Sequence, residues 1–580
     1  MRFCFRILFA LSFYTITVKG QSPYAVSSIP ADLKSRAGAV IRNLETNLEI
    51  KDPQNVVYRV KKSITVFNKS ADAQANIQVW YDKTRTIKSI KALVFDESGK
   101  PIGKIQEKDF RDVSVADDAS LFEYSRMKVF RPAITTYPFT IEYEYEIKMK
   151  QSMNLPNWTP NASPGVSLEN AKLTVFCRPD LTLRYKEINF PGKAITEDTK
   201  EGKIHVWEIK NIKVFRDEPY SPDPERYLPS VKLGLNKFVY DGVSGSFENW
   251  EEHGRWVYQK LLDGRDKIPL ETESKIKSMV DTIADPVMKA KKIYEFVQQK
   301  TRYVSVQVGI GGYQPIPASE VDRLGYGDCK ALVNYTKGLL KTVGINSYYT
   351  IVEGGSFKKS ALPDFAGMDQ FNHVILCIPF KNDTAWVDCT SKTLPFGFLG
   401  DFTDDRLVLA CTPEGGKLIK TPKLAPAENR QVRTALFSVH PSGNLKGEMN
   451  TVFEGMQYEN RDMFINEPEK EQHKLLAKIY AINNLEVQLF KLEHDKRRRP
   501  IARESIKLNA RNYASSTSEG RMSLALNAVI KVKAVKEMLN RTNPVYINRG
   551  YYDRDEITYV LPDNYSIETA PKNISVVKPF

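Results

Sequence analysis

The chain has little cysteine and little histidine: six of each in 580 residues. There is no C-x-x-C pair and no H-E-x-x-H, so neither a structural zinc site nor a zinc-peptidase helix is expected. No P-loop or dinucleotide fingerprint occurs, which removes the common phosphate-cradling folds and the cofactors they hold. No stretch holds 18 consecutive apolar residues, so no ordinary membrane-spanning helix is encoded. Internal repeats and low-complexity tracts are also lacking, which sets aside solenoids and disordered linkers.

What remains is a globular composition, 42% hydrophobic and 27% charged, with a length suited to three or four domains. The net charge is +14, spread along the chain, and export argues further against a nucleic-acid partner. The balance suits anionic envelope polymers. The one dense basic cluster, Lys496-Arg497-Arg498-Arg499, ends in Pro500 and reads as a solvated loop.

Residues 1–20 read as a secretory signal peptide. Arg2 and Arg6 form a basic start, Ile7 to Val18 an apolar core, and Val18-Lys19-Gly20 a cleavage site before Gln21. An exported protein, periplasmic or extracellular, is expected. Its removal leaves a charge of +11 and five cysteines, Cys177, Cys329, Cys377, Cys389 and Cys411. An odd number fits a free thiol better than a disulfide scaffold.

Residues 21–245 are β-rich. Phe139, Ile141, Tyr143, Tyr145, Ile147 and Met149 alternate with polar residues, as do Tyr58 to Val66 and Ile77 to Tyr81. A β-sandwich-like domain is expected. Helical spacing begins near Phe247. It predicts a helix over 274–284, a second from Pro286 behind an Asp285 cap, and a third from Cys329 with Leu332, Leu339, Leu340 and Val343 on one face. Strands follow at 348–352, 371–378 and 383–390. Helices before strands make residues 246–420 an α+β unit. Residues 421–429 are a proline-containing linker, and 421–580 form a third β-rich domain, expected to be either incomplete or short.

The chemistry concentrates in the middle domain. Cys329 follows Gly325-Tyr326-Gly327-Asp328, where the glycines permit a tight loop and Asp328 can cap the helix. A thiol at a helix start is favoured as thiolate, and the free N–H groups there can bind an oxyanion. His373 and Asp388 lie on the two strands of a hairpin. A four-residue turn at Pro379-Phe380-Lys381-Asn382 places them directly opposite each other, where the carboxylate can orient the imidazole. For a second oxyanion donor besides the Cys329 N–H, Gln307, Tyr313 and Gln314 are upstream candidates.

These residues resemble the transglutaminase-like superfamily of papain-like cysteine chemistry. The matching stretches are Gly311-Gly312-Tyr313-Gln314-Pro315, Ala318-Ser319-Glu320-Val321, Tyr326-Gly327-Asp328-Cys329-Lys330, Phe371-Asn372-His373-Val374, Asp388-Cys389-Thr390-Ser391 and Pro395-Phe396-Gly397. More closely, the chain is similar to a bacterial envelope group with a transglutaminase-like domain between two β-rich domains. The resemblance implies Cys329 as nucleophile, His373 as general base and acid, and Asp388 as orienting carboxylate. It also implies a protein or peptide substrate, envelope- or peptidoglycan-associated, and no metal or organic cofactor. It leaves open hydrolysis against transamidation, the oligomeric state, and a non-catalytic scaffold built on the same platform.

Overall fold

A computed structural model describes residues 22–115, 120–480, 482–517, 520–529 and 534–579; the side chains of 120–123 are not described. The expected signal peptide and its cleavage site lie outside the described residues. The chain is multidomain and rich in strand. Among the described residues no helix is long and apolar enough to cross a membrane.

The N-terminal part is built on an eight-stranded sheet. Its order is Ile195–Asp198, Lys203–Ile212, Val166–Cys177, Ala39–Asp52, Asn55–Val66, Phe139–Met149, Arg85–Phe95 and Pro101–Ile105. Only Ala39–Asp52 and Val166–Cys177 run parallel within it. A three-stranded sheet of Ile77–Tyr81, Arg126–Phe130 and Arg111–Ser114 shares its core through Ile77, Val79 and Phe130. The alternation along 139–149 is less clean than expected. Thr140, on the polar face, is fully buried and pairs its hydroxyl with that of Thr65 at 2.7 Å. Trp158 is 4% exposed and packs on Phe190 rather than facing solvent.

The central part packs helices Trp250–Trp256, Leu270–Val280, Pro286–Lys300, Ala318–Leu324 and Cys329–Thr342 against a five-stranded antiparallel sheet. The strand order is Asp383–Val387, His373–Phe380, Tyr348–Val352, Leu407–Thr412 and Gly415–Lys420. Asp285 caps Pro286–Lys300 by accepting from the Val287 N–H at 2.9 Å. The helix expected over 274–284 instead spans Leu270–Val280, starting directly after Pro269. The Cys329 helix also differs from expectation. It is buried nearly all round, with eleven of its fourteen residues inside, because helices cover one side and the sheet the other. Met153 and Phe238, which precede residue 246, join this central core. Gly254 meets Gly416 backbone to backbone. A Cβ on Gly254 would lie 2.2 Å from the Gly416 Cα, so no larger residue fits.

The C-terminal sheet has the order Leu485–Asp495, Ile501–Ala510, Leu445–Glu454, Arg430–Val439 and Tyr552–Val560, with helix Glu469–Tyr480 in its core. Its last strand runs parallel to Arg430–Val439. The segment 541–549 leading into it is a strap across the other two parts. The Thr542 and Asn543 N–H groups donate to Glu218 at 2.8 and 2.9 Å, Asn548 donates to the Ser356 carbonyl at 2.6 Å, and Arg549 pairs with Asp404. The basic cluster read as a solvated loop also docks. Arg498 bonds Asp383 and donates to the Thr384 carbonyl at 2.7 Å, because the tip of the His373 hairpin lies beside it.

Candidate active site

Helix Ala318–Leu324 ends at Gly325, whose φ of +67° is the left-handed conformation of a helix stop. Tyr326-Gly327 then pairs with Arg302–Tyr303, and Asp328 is extended at the helix entrance. Its Oδ1 accepts from the Ala331 N–H at 3.0 Å, as a capping aspartate does. Its Oδ2 holds the Lys330 ammonium at 2.6 Å, both side chains being about 5% exposed or less. Cys329 is the first helical residue. With Ala331 taken by the cap, the Cys329 and Lys330 N–H groups are the first-turn donors left for a developing oxyanion.

His373 begins its strand opposite Val352, and Asn372 fixes that start. Its amide accepts from the Gly354 N–H at 2.7 Å and donates to the Gly354 carbonyl at 3.0 Å. The hairpin register expected from a four-residue turn is corrected by two residues. The turn is the pair Lys381-Asn382, Phe380 faces Asp383, and Leu376 faces Val387. Pro379 can stay in the strand because it lies beyond the last pair with Tyr348–Val352, so its missing N–H interrupts no ladder there. A two-residue change keeps each side chain on its original face. Asp388, just past the strand end, therefore still meets His373, with Oδ2 2.9 Å from Nε2. Nδ1 is left on the side of Cys329, which lines the same cavity and adds to the ring's preference for charge.

The electrostatics follow from this geometry. Burial alone would push the His373 imidazolium down, but the charge and hydrogen bond of Asp388, joined by Cys329, outweigh it and raise the pKa to about 10. Asp388 is 7% exposed, yet its carboxyl is held below the usual range. Burial works against this, and His373 and the Thr390 bonds overcome it. Thr390 donates to Oδ1 twice, from its N–H at 2.9 Å and its hydroxyl at 2.6 Å. The Asp388 carbonyl accepts from the buried Tyr294 hydroxyl at 3.0 Å. The other described cysteines are unbridged and buried. Burial pushes Cys177 up to about 11 and Cys377 and Cys389 up to about 12, as befits core thiols rather than nucleophiles.

Cys329 and His373 open on a cavity of about 320 Å³. Gln307 and Tyr313 line it; Gln314 does not, because its amide donates to the Lys260 carbonyl at 3.3 Å. Gln307 ends strand Ser305–Gln307, which pairs with strand Ser120–Glu123 of the N-terminal part. The Tyr313 hydroxyl accepts from Asn154 at 2.5 Å and its ring meets Tyr240 edge-on at 4.9 Å. Sequence reasoning gave no role to Lys330, Asn372, Thr390 or Phe402. Phe402 sets its ring edge-on to His373 at 5.3 Å. Lys330 lines the cavity, although its place beside the cap suggests exposure. Among the described residues no group of three or more His, Cys, Asp or Glu could hold a metal ion.

Two family models match parts of the chain. Residues 52–216 match DUF3857, a domain of unknown function with a solved structure, and residues 521–580 match DUF3858, a second such domain. No curated protein matches. A "putative protease" from Parabacteroides distasonis ATCC 8503 is similar in structure, with a TM-score of 0.52 and 14% identity over 82% of this chain and 94% of that one. At that identity the likeness shows the fold alone. A "putative cysteine protease" from Cytophaga hutchinsonii has a TM-score of 0.17 and 10% identity over 58% of this chain and 78% of that one, too low to carry an argument. Neither matching family model covers Cys329, His373 or Asp388.

Proposed function

We propose that the protein is an exported thiol acyl-transfer enzyme acting on peptide amides, a peptidase or amidase in the first place. The observation that carries this reading is the Cys329–His373–Asp388 chain of contacts at a helix start, with His373 2.9 Å from Asp388 and both reacting residues on one cavity. In this mechanism His373 holds the thiol proton, and Cys329 Sγ attacks the amide carbon as the C=O π pair moves to oxygen. The Cys329 N–H receives that oxyanion, with Gln307 placed as the second donor. His373 passes its proton to the leaving nitrogen, the C–N bond breaks, and a thioester remains. Water attacking the thioester gives hydrolysis; an amine gives cross-linking. Envelope-associated peptides in the periplasm or outside the cell fit the expected export.

A second reading is a scaffold or a closed zymogen-like state, favoured by the low exposure of Cys329, 5%. One experiment separates them: alkylation of Cys329 against pH, read by mass spectrometry, in wild type and His373→Ala. Rapid labelling well below the free thiol pKa of about 8.5, lost in the variant, supports the enzyme. Slow labelling in both supports the scaffold. Cys329→Ala is expected to abolish turnover with the fold intact, and retained turnover would remove the mechanism.

A further inference from the structure

A second cavity, about 700 Å³, lies between the N-terminal and central parts and shares two walls, Tyr240 and Gln307, with the cavity of Cys329. Asp82, Lys83 and Gln151 come from the N-terminal side and Asp241 from the central side. The two carboxylates are only half used. Thr84 and Arg85 donate to Oδ1 of Asp82, and the Ile310 N–H donates to Oδ2 of Asp241 at 2.6 Å. The other oxygen of each has no bond, and neither carboxylate forms an ion pair, among the described residues. Lys83 does not neutralise them; its ammonium sits 3.4 Å from the centre of the Tyr124 ring. Gln151 is 5% exposed, and its Oε1 finds no donor among the described residues.

We propose that this interdomain cavity is a substrate subsite contiguous with the Cys329 cavity, and that it takes the ammonium-bearing segment of a peptide. The inference rests on the reading of Cys329 as nucleophile and adds the substrate's chemistry to it. Two carboxylates with a free oxygen each, an unpaired amide acceptor and an aromatic wall that already receives one ammonium call for a cationic hydrogen-bond donor. A peptide can supply one as its α-amino group or as a lysine-like side chain. The subsite also gives the N-terminal part a direct function, since it contributes half the wall.

Peptide binding tests this without turnover. The full-length Cys329→Ala protein is titrated, by fluorescence anisotropy, with four tetrapeptides carrying one C-terminal fluorophore: Lys-Ala-Ala-Gly, its norleucine counterpart, and the N-acetylated form of each. A cationic peptide is expected to bind about tenfold tighter than acetyl-norleucine-Ala-Ala-Gly. The two singly charged peptides tell the α-amino group from the side chain. Asp82→Asn, which keeps the turn acceptor, is expected to cut the preference about threefold, and Asp82→Asn with Asp241→Asn to abolish it. Lys83→Met, at an exposed position, is expected to increase it and decides the matter should the double variant misfold. Equal affinity for all four peptides, a preference that survives in a folded double variant, or no increase in Lys83→Met overturns the subsite. Selective binding by a protein without turnover defeats the acyl-transfer reading alone.

Discussion

Replacing Asp388 with Asn removes the charge that holds His373 protonated while keeping the side chain's shape. The His373 pKa of about 10, against 6.5 for the free side chain, corresponds to roughly 5 kcal/mol of preference for the charged ring. That preference is net of burial and shared between Asp388 and Cys329. Assigning about half to Asp388 gives roughly 2–3 kcal/mol, or a factor of roughly 30–150 in the proton affinity of the ring. His373 is therefore expected to lose its proton roughly 1.5–2 pH units lower in Asp388→Asn, as followed by NMR of its ring between pH 6 and 10. The stability of the two proteins supplies an independent readout. A raised histidine pKa contributes stability that is full below the unfolded value near 6.5 and lost as pH rises through about 10. The gap in unfolding free energy between wild type and variant should thus be widest at pH 6 and narrow toward pH 10. It is measured by urea denaturation across that range. An unshifted His373 titration, or a stability gap independent of pH, would refute the assignment of Asp388 as the group that charges His373.

Asp328→Ala removes a helix cap and strands the buried Lys330 ammonium, so a loss of roughly 3–5 kcal/mol is expected in urea unfolding. Adding Lys330→Met should restore most of it; no recovery would mean that the ion pair is not the cause. Thr390→Val deletes one of the two bonds that Thr390 donates to Asp388 and leaves the backbone one. A His373 titration shifted by less than about one pH unit is expected in NMR of the ring, from a hydrogen bond worth about 1 kcal/mol. Gly254→Ala drives a methyl into Gly416, and thermal denaturation should show a loss of roughly 1–3 kcal/mol or more.

The sequence was most informative where its signals are local. Gly325, Asp328 and the apolar spacing after Cys329 mark the helix start, and Asp285-Pro286 marks another, because caps and prolines act within one turn. The hairpin was legible in which face each residue occupies but not in its register. Pro379 reads as a strand end, and only the position of the neighbouring strand shows that its missing N–H costs nothing. What escaped altogether depends on contacts far apart in sequence. Phe402 reaches His373, Asn154 reaches Tyr313, and Arg498 reaches Asp383, and no periodicity encodes such meetings. Gln307 and Gln314 look alike upstream of the cysteine; only the carbonyl of Lys260 separates their roles.

The strap has a consequence for the order of assembly. Strand Tyr552–Val560 completes the C-terminal sheet by pairing in parallel with Arg430–Val439, about 120 residues earlier. Such distant pairing is slow to form because the loop must close first. The residues leading into that strand supply the partners of Glu218, a carboxylate 3% exposed once they are in place. A chain in which 541–560 have not yet docked can build its thiol helix and both upstream sheets, but it lacks the ties of the strap to Glu218, Ser356 and Asp404. The segment that pairs late is thus also one that ties the C-terminal sheet to the two parts before it, so that completing the sheet and tethering the parts are one step.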